Sequence, residues 1–385
     1  MNQSQESAIT IYIHWPFCAS KCPYCDFNSY VLKNDIDIHR WKLAYLSQLQ
    51  YFLPLIQDQR IKSIFFGGGT PSLMPLEILN AILLFLFQNT SVSRETEISI
   101  EVNPTSFEYQ KFESFSKYGI NRVSIGLQSL NDDNLHKLGR NHSAACALEA
   151  VRSAKEIFDR VSFDVIYGLM DQSLEQWREE LEEYLALNCS HLSLYMLTIE
   201  TGTGFAKLLQ QGRIILPQEE ALAQMYTHTM HRLKQAGYDR YEISNFAKPS
   251  QECAHNLHYW RYGSYLGLGP GAHSRIGARA MAMHKTPSKW IESVEQTWHG
   301  LDVDEQLSQE QRGMEMIMMG LRLRDGIERG EFLRKIGVSL ESMLDEKKVR
   351  SFVQDGLLKL DEVSMYLTDS GVLLYSYILN SLLHA

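Results

Sequence analysis

The chain has no excess of positive charge, no long apolar run and few cysteines, and each shortage removes a class of function. Its 37 Lys and Arg are outnumbered by 46 Asp and Glu, for a formal net charge of −9. A broad phosphate-binding face needs clustered Lys and Arg, so no nucleic-acid partner is expected, although a local basic pocket is compatible with the balance. The longest apolar stretches, such as AILLFLF at 81–87, fall well short of the roughly 20 residues that span a bilayer. The first ten residues, MNQSQESAIT, show no basic run followed by an apolar segment. No secretory leader is read there, and a cytoplasmic location is the expectation, with peripheral membrane contact left open. Six cysteines in 385 residues are too few for a disulfide scaffold. What remains is an ordinary folded composition, 44% hydrophobic and 22% charged, long enough for one large domain and a smaller one.

Three of the six cysteines are crowded into FCASKCPYCDF (17–27), as Cys18, Cys22 and Cys25. In a reducing compartment such crowding points to metal ligation. Structural zinc wants four ligands, usually as two pairs, and no second C-x2-C or H-x3-H accompanies this loop. Three thiolates on one loop fit a [4Fe–4S] cluster better, one per iron, with the fourth iron left open.

The loop directly follows the first of a series of short β-branched or aromatic runs at 9–15, 61–67, 97–103, 121–128, 160–168 and 191–197, with a seventh at 238–247. Amphipathic stretches lie between them at 35–57, 75–88, 106–118, 143–157, 173–187 and 218–236. Alternation of this kind predicts an α/β fold with a parallel sheet, open or curled into a barrel. Several runs end in polar or glycine-rich text (GGGTP, EVNP, LQS, DVIYGL). Ligands in such folds bind at the carboxyl ends of strands, so the chemistry belongs on that rim. GGGT at 67–70 offers bare backbone to a ligand. It is not a dinucleotide fingerprint, because Ser72 stands where the last glycine is required.

C-x3-C-x2-C with Tyr24 before the third cysteine resembles the signature of radical S-adenosylmethionine (SAM) enzymes. The motifs IYIHWPFC, FFGGGTPSLM, SIEVNP, SIGLQSL, FDVIYGLMDQ, LSLYMLTIE and YLGLGPGAHS, in that order, are similar to the oxygen-independent coproporphyrinogen oxidases and their haem-chaperone relatives over nearly the whole chain. The resemblance implies a partial (β/α)6 barrel at 1–245, a family-specific segment at 246–300 and a small winged-helix-like domain at 301–385. It also implies a cluster on Cys18, Cys22 and Cys25 whose open iron chelates SAM, and reductive cleavage of SAM to a 5′-deoxyadenosyl radical. Gly68, Gly69 and Thr70 would then meet the methionine end of SAM and Glu101 its ribose hydroxyls. Arg140 would pair with its carboxylate, with Gln128, Asp164, Tyr12 and Tyr24 completing the site.

The family divides into decarboxylases and haem chaperones. Decarboxylases carry a further cysteine where this chain has Phe27, and a longer segment ahead of the loop than the 17 residues before Cys18. HNLHYW at 255–260 resembles the H-N-x-x-Y-W motif of the haem-chaperone branch. A neutral imidazole is a standard axial ligand of haem iron. His255 is therefore the preferred haem contact, His258 the second, and Cys253 a thiolate alternative. Haem-accepting proteins and an electron donor are the implied partners. Cys146 and Cys189 are expected to be inert buried thiols, the MEMIMM run (314–319) helix core, and His273 a residue near the cofactor pocket.

Overall fold

The computed structural model describes residues 8–105, 108 and 110–383. Six strands, β1 (Ala8–Trp15), β2 (Arg60–Gly68), β3 (Glu97–Val102), β4 (Arg122–Gln128), β5 (Arg160–Tyr167) and β6 (His191–Met196), lie side by side in chain order, all parallel. Crossover helices include Ile38–Ile56, Leu76–Asn89, Ala144–Ile157 and Leu174–Ala186. The helix read at 106–118 is seen as Phe112–Lys117, and residues 106, 107 and 109 lie outside the described residues.

Both edges of this partial barrel differ from the sequence reading. The run at 238–247 is not one further strand but a hairpin of β7 (Asp239–Glu242) and β8 (Asn245–Ala247), with β8 antiparallel to both β6 and β7. The chain turns there because the Glu242 carboxylate accepts the Ser244 N–H at 2.8 Å. The seventh parallel strand is β9 (Ser264–Leu268), on the far side of β1. A meander of β10 (His273–Ile276), β11 (Arg279–Met283) and β12 (Leu301–Gln306) continues from it. The order is β12-β11-β10-β9-β1-β2-β3-β4-β5-β6-β8-β7. The boundary read near 300 thus falls just ahead of a strand that still belongs to the large sheet.

Period-two alternation gives the barrel strands two different faces. Ile9, Ile11 and Ile13, Ile64 and Phe66, Ile98 and Ile100, Val123 and Ile125, Phe163 and Val165 all join the apolar core beneath the helices. The opposite face carries Tyr12, His14, Glu101, Ser124, Asp164 and Ser193, and it lines cavities. An interior of small and polar side chains leaves room that a side-chain-filled barrel lacks.

After β12 the chain forms helices Gln309–Gly320, Arg329–Ile336 and Glu346–Gln354, with a small sheet of Ile327–Glu328, Ser364–Leu367 and Leu358–Leu360. The last two pair antiparallel as a hairpin. Met316, Ile317 and Met319 are core, as read, while Met318 faces out. No helix among the described residues is long and apolar enough to cross a membrane.

Candidate functional site

Two neighbouring cavities open on the inner face. The first, about 420 Å³, is lined by all three loop cysteines together with Gly68, Gly69 and Thr70. The loop is held in place by its neighbours. Asn28 donates Nδ2–H bonds to the carbonyls of Pro270 and Lys285, both at 3.0 Å, and its own carbonyl is 2.9 Å from His14 Nε2. Phe205 N–H reaches Pro23 O at 2.8 Å, beside the tilted ring contact of Tyr24 with Phe205. Cys18 is buried, and burial pushes its thiol pKa up. The Cys25 sulfur lies 3.7 Å from Ser29 Oγ. No three His, Cys, Asp or Glu side chains among the described residues group tightly enough to hold one metal ion.

Gly68 and Gly69 are the cradle beneath the loop. A Cβ on Gly69 would stand 2.9 Å from Cys18 Sγ and 2.8 Å from Phe17 O. Gly68 has φ +119, open only to glycine, and its N–H reaches Glu101 Oε2 at 3.2 Å.

Arg140 follows β4 and is tied down by four partners. It donates to Cys22 Sγ and Tyr24 OH, both at 3.4 Å, to Gly126 O at 3.1 Å and to Asn103 Oδ1. Burial opposes its charge, but Tyr24 and Cys22 more than offset that. Asn103, which the sequence reading quoted in EVNP but did not single out, also donates to Thr70 Oγ1 at 3.1 Å. Gln128 ends β4 at φ 65, where the register with β5 shifts. A non-glycine residue held in the left-handed region beside a cavity is strain of the kind found at functional sites.

Glu101 and Asp164 stand in the wall common to both cavities, with Gly68, Tyr195 and Phe27. Burial, and then the Asp164 charge, push the Glu101 carboxyl up to about 8, against the Gly68 N–H. Burial also raises Asp164, opposed by Ser193, Arg122 and Ser124.

The second cavity, about 520 Å³, has aromatic walls: Tyr12, Phe65, Tyr259, Trp260 and Tyr265. Tyr12, read as a SAM contact, lines this cavity and not the cysteine cavity. His255 lines it too, stacked on Phe65 at 4.9 Å, with Nδ1 2.9 Å from Ser63 Oγ. Burial brings its imidazole down to about 4, so it is neutral near pH 7. Its backbone is fixed by buried Glu97, which accepts the N–H groups of Ala254 and His255 at 3.1 Å and pairs with Arg160 at 2.8 Å. Arg322, from beyond β12, also reaches this cavity, its guanidinium 4.5 Å over the Trp260 ring. Nothing in the sequence around RLRDG signals that role.

Known proteins resemble this chain in sequence and in fold. Residues 12–184 match the Radical SAM superfamily and 307–374 the HemN C-terminal domain. The haem chaperone HemW of Escherichia coli is 34% identical over 356 residues, covering 90% of this chain and 92% of its own. The chain belongs to the HemN-like radical SAM proteins, close to HemW. The mouse mitochondrial radical S-adenosyl methionine domain-containing protein 1 is 35% identical over 394 residues, with 99% of this chain and 89% of that one covered. The structure of coproporphyrinogen III oxidase HemN from E. coli superposes with a TM-score of 0.82 at 23% identity, over 98% of this chain and 90% of the other. The radical SAM family implies a [4Fe–4S] cluster and SAM, and the first cavity suits both. Three thiols and the Gly68–Thr70 turn line it, with Arg140, Glu101 and Asp164 in its walls.

Other sequence readings need correction. His258 is excluded from the second cavity: it is buried with Nε2 2.9 Å from Ser264 O, packed so close that a Cβ on Gly263 would overlap its ring at 2.2 Å. Cys253 lines neither cavity: it is fully buried, its sulfur faces Glu97 Oε1 at 3.4 Å, and burial pushes its thiol up to about 12. Cys146 is exposed, not buried, because its helix buries the stripe Ala147, Ala150, Val151 and Ala154. Cys189 is buried as read, its thiol pushed up to about 11. His273 lines the second cavity.

Proposed function

We propose that this protein binds haem in the second cavity, carries a [4Fe–4S] cluster on Cys18, Cys22 and Cys25 with SAM beside it, and passes haem to acceptor proteins. The observation that carries the reading is the aromatic-walled cavity with a neutral His255 in it, since a haem ligand needs an imidazole lone pair and apolar faces around the macrocycle. With Nδ1–H donating to Ser63 Oγ, Nε2 would be the nitrogen free for iron, and Glu97 fixes the helix that presents the ring. HemW relatives of 34–41% identity, named haem chaperones, support it.

In the first cavity Gly68, Gly69 and Thr70 would receive the methionine end of SAM, Glu101 its ribose, and Arg140 its carboxylate, with Gln128, Asp164 and Tyr24 around them. When bound, cluster and SAM supply one-electron reductive chemistry, for which an electron donor is required. A reducing, cytoplasmic setting is part of the proposal, supported by six free cysteines. A small C-terminal unit starting near the end of β12 is likewise proposed.

The wall shared by the two cavities favours one second reading, a coproporphyrinogen III dehydrogenase, because a radical formed in one cavity would be close to a substrate in the other. Anaerobic reconstitution with iron and sulfide separates the readings. Stoichiometric haem uptake without loss of carboxyl groups from coproporphyrinogen III supports the chaperone. Conversion of two propionates to vinyls overturns it.

A further inference from the structure

Phe27 closes the cysteine loop with a ring that is 59% exposed and lines both cavities. Its backbone is fixed. The Phe27 carbonyl accepts from Ser29 N at 2.7 Å and from Lys21 Nζ at 3.4 Å. The next residue, Asn28, is the one that staples the loop to Pro270 and Lys285. The ring itself belongs to none of the apolar clusters formed by the described residues. A large apolar ring left in water on an anchored backbone, at the rim of an aromatic-walled cavity, is unfavourable until something planar covers it.

We propose that Phe27 is the stacking lid of the second cavity: its ring packs on the face of a planar apolar macrocycle held there and screens that ligand from the cysteine cavity. The inference rests on the haem reading above. Phe65, Tyr259, Trp260 and Tyr265 line only the second cavity, which favours a macrocycle there over the adenine ring of SAM, and the test includes that ring.

Haem is titrated into the anaerobically reconstituted protein and followed by its Soret band, with SAM affinity measured by calorimetry on the same samples. Phe27→Ala is expected to weaken haem binding about tenfold or more, and Phe27→Trp to keep it. Because Phe27 also borders the cysteine cavity, SAM affinity is the reference: it should fall by clearly less than haem affinity does, with cluster absorbance retained. Should Phe27→Ala disturb the loop and lose cluster, Phe27→Leu serves instead, because it keeps an apolar side chain and removes only the planar face. Wild-type haem affinity in these variants, or a loss that falls on SAM and spares haem, would overturn the lid. Failure of the wild type to take up haem is a separate outcome, and it would overturn the haem reading itself.

Discussion

The cysteine cavity takes its walls from short stretches that each carry their chemistry in adjacent letters: the loop 18–29, the Gly68–Thr70 turn, Glu101 to Asn103, and Arg140. The second cavity takes Tyr12, Phe65, Arg122, Ser193, Glu242, His255, Tyr265 and Arg322 from as many separate places in the chain. The first is built by loops at strand ends, where spacing along the sequence fixes spacing in space. The second is built by inward positions of strands and by a helix laid across them, so only the topology brings its walls together. The two share Glu101 and Asp164 and differ beyond that wall. Thiols, Gly69, Thr70 and Arg140 line only the first, while Phe65, Tyr259, Trp260, Tyr265 and a neutral imidazole line only the second.

That contrast can be broken most sharply at Arg140. Arg140→Ala removes the buried cation expected to pair with the SAM carboxylate and is expected to weaken SAM binding about 100-fold, with haem affinity unchanged. Equal loss of both ligands would mean that the cavities are one site.

Glu101 supplies a pH test. Its carboxyl titrates near 8 in the ligand-free protein, and a cationic ligand favours its charged form. SAM affinity should therefore rise about tenfold from pH 7 to pH 9, as the ionised fraction rises, and then level off. Glu101→Gln should flatten that profile, which calorimetry across the range would show.

How much of this was legible follows from the same contrast. The six parallel strands were readable because their outer positions are β-branched or aromatic at period two, as in β1, where Ile9, Ile11 and Ile13 are all fully buried. The inner positions carried a signal that the sequence reading did not use. Thr10, Ser63, Ser99, Ser124, Ser162 and Ser193 are buried yet small and polar, which marks a barrel that encloses a ligand rather than side chains. β9 was missed because SYLGL is short and interrupted by Gly267. The hairpin at 239–247 was missed because its turn depends on a side chain, Glu242. His255 and His258, three residues apart, could not be ranked by spacing alone. Burial separates them, one toward the cavity and one against Gly263 and Ser264 O.

His258 sharpens the comparison from the structural side. His258→Ala should lower unfolding stability by about 1–3 kcal/mol through the lost buried hydrogen bond, seen as a lower denaturant midpoint, with cluster content unaltered. At the small end, Cys146→Ser lies on an exposed helix face away from both cavities. It should stay within about 0.5 kcal/mol of wild type and bind both ligands normally; a change in cluster content would assign that thiol a role the structure does not give it.

The most direct measurement places cluster and haem side by side in two variants. In reconstituted Cys18→Ala and His255→Ala proteins, iron–sulfur absorbance and Soret titration are read together. Cys18→Ala is expected to lose the cluster and keep haem affinity within about threefold, and His255→Ala to keep the cluster and bind haem at least about tenfold more weakly. Loss of both signals in either variant, or haem binding indifferent to His255, would contradict that expectation.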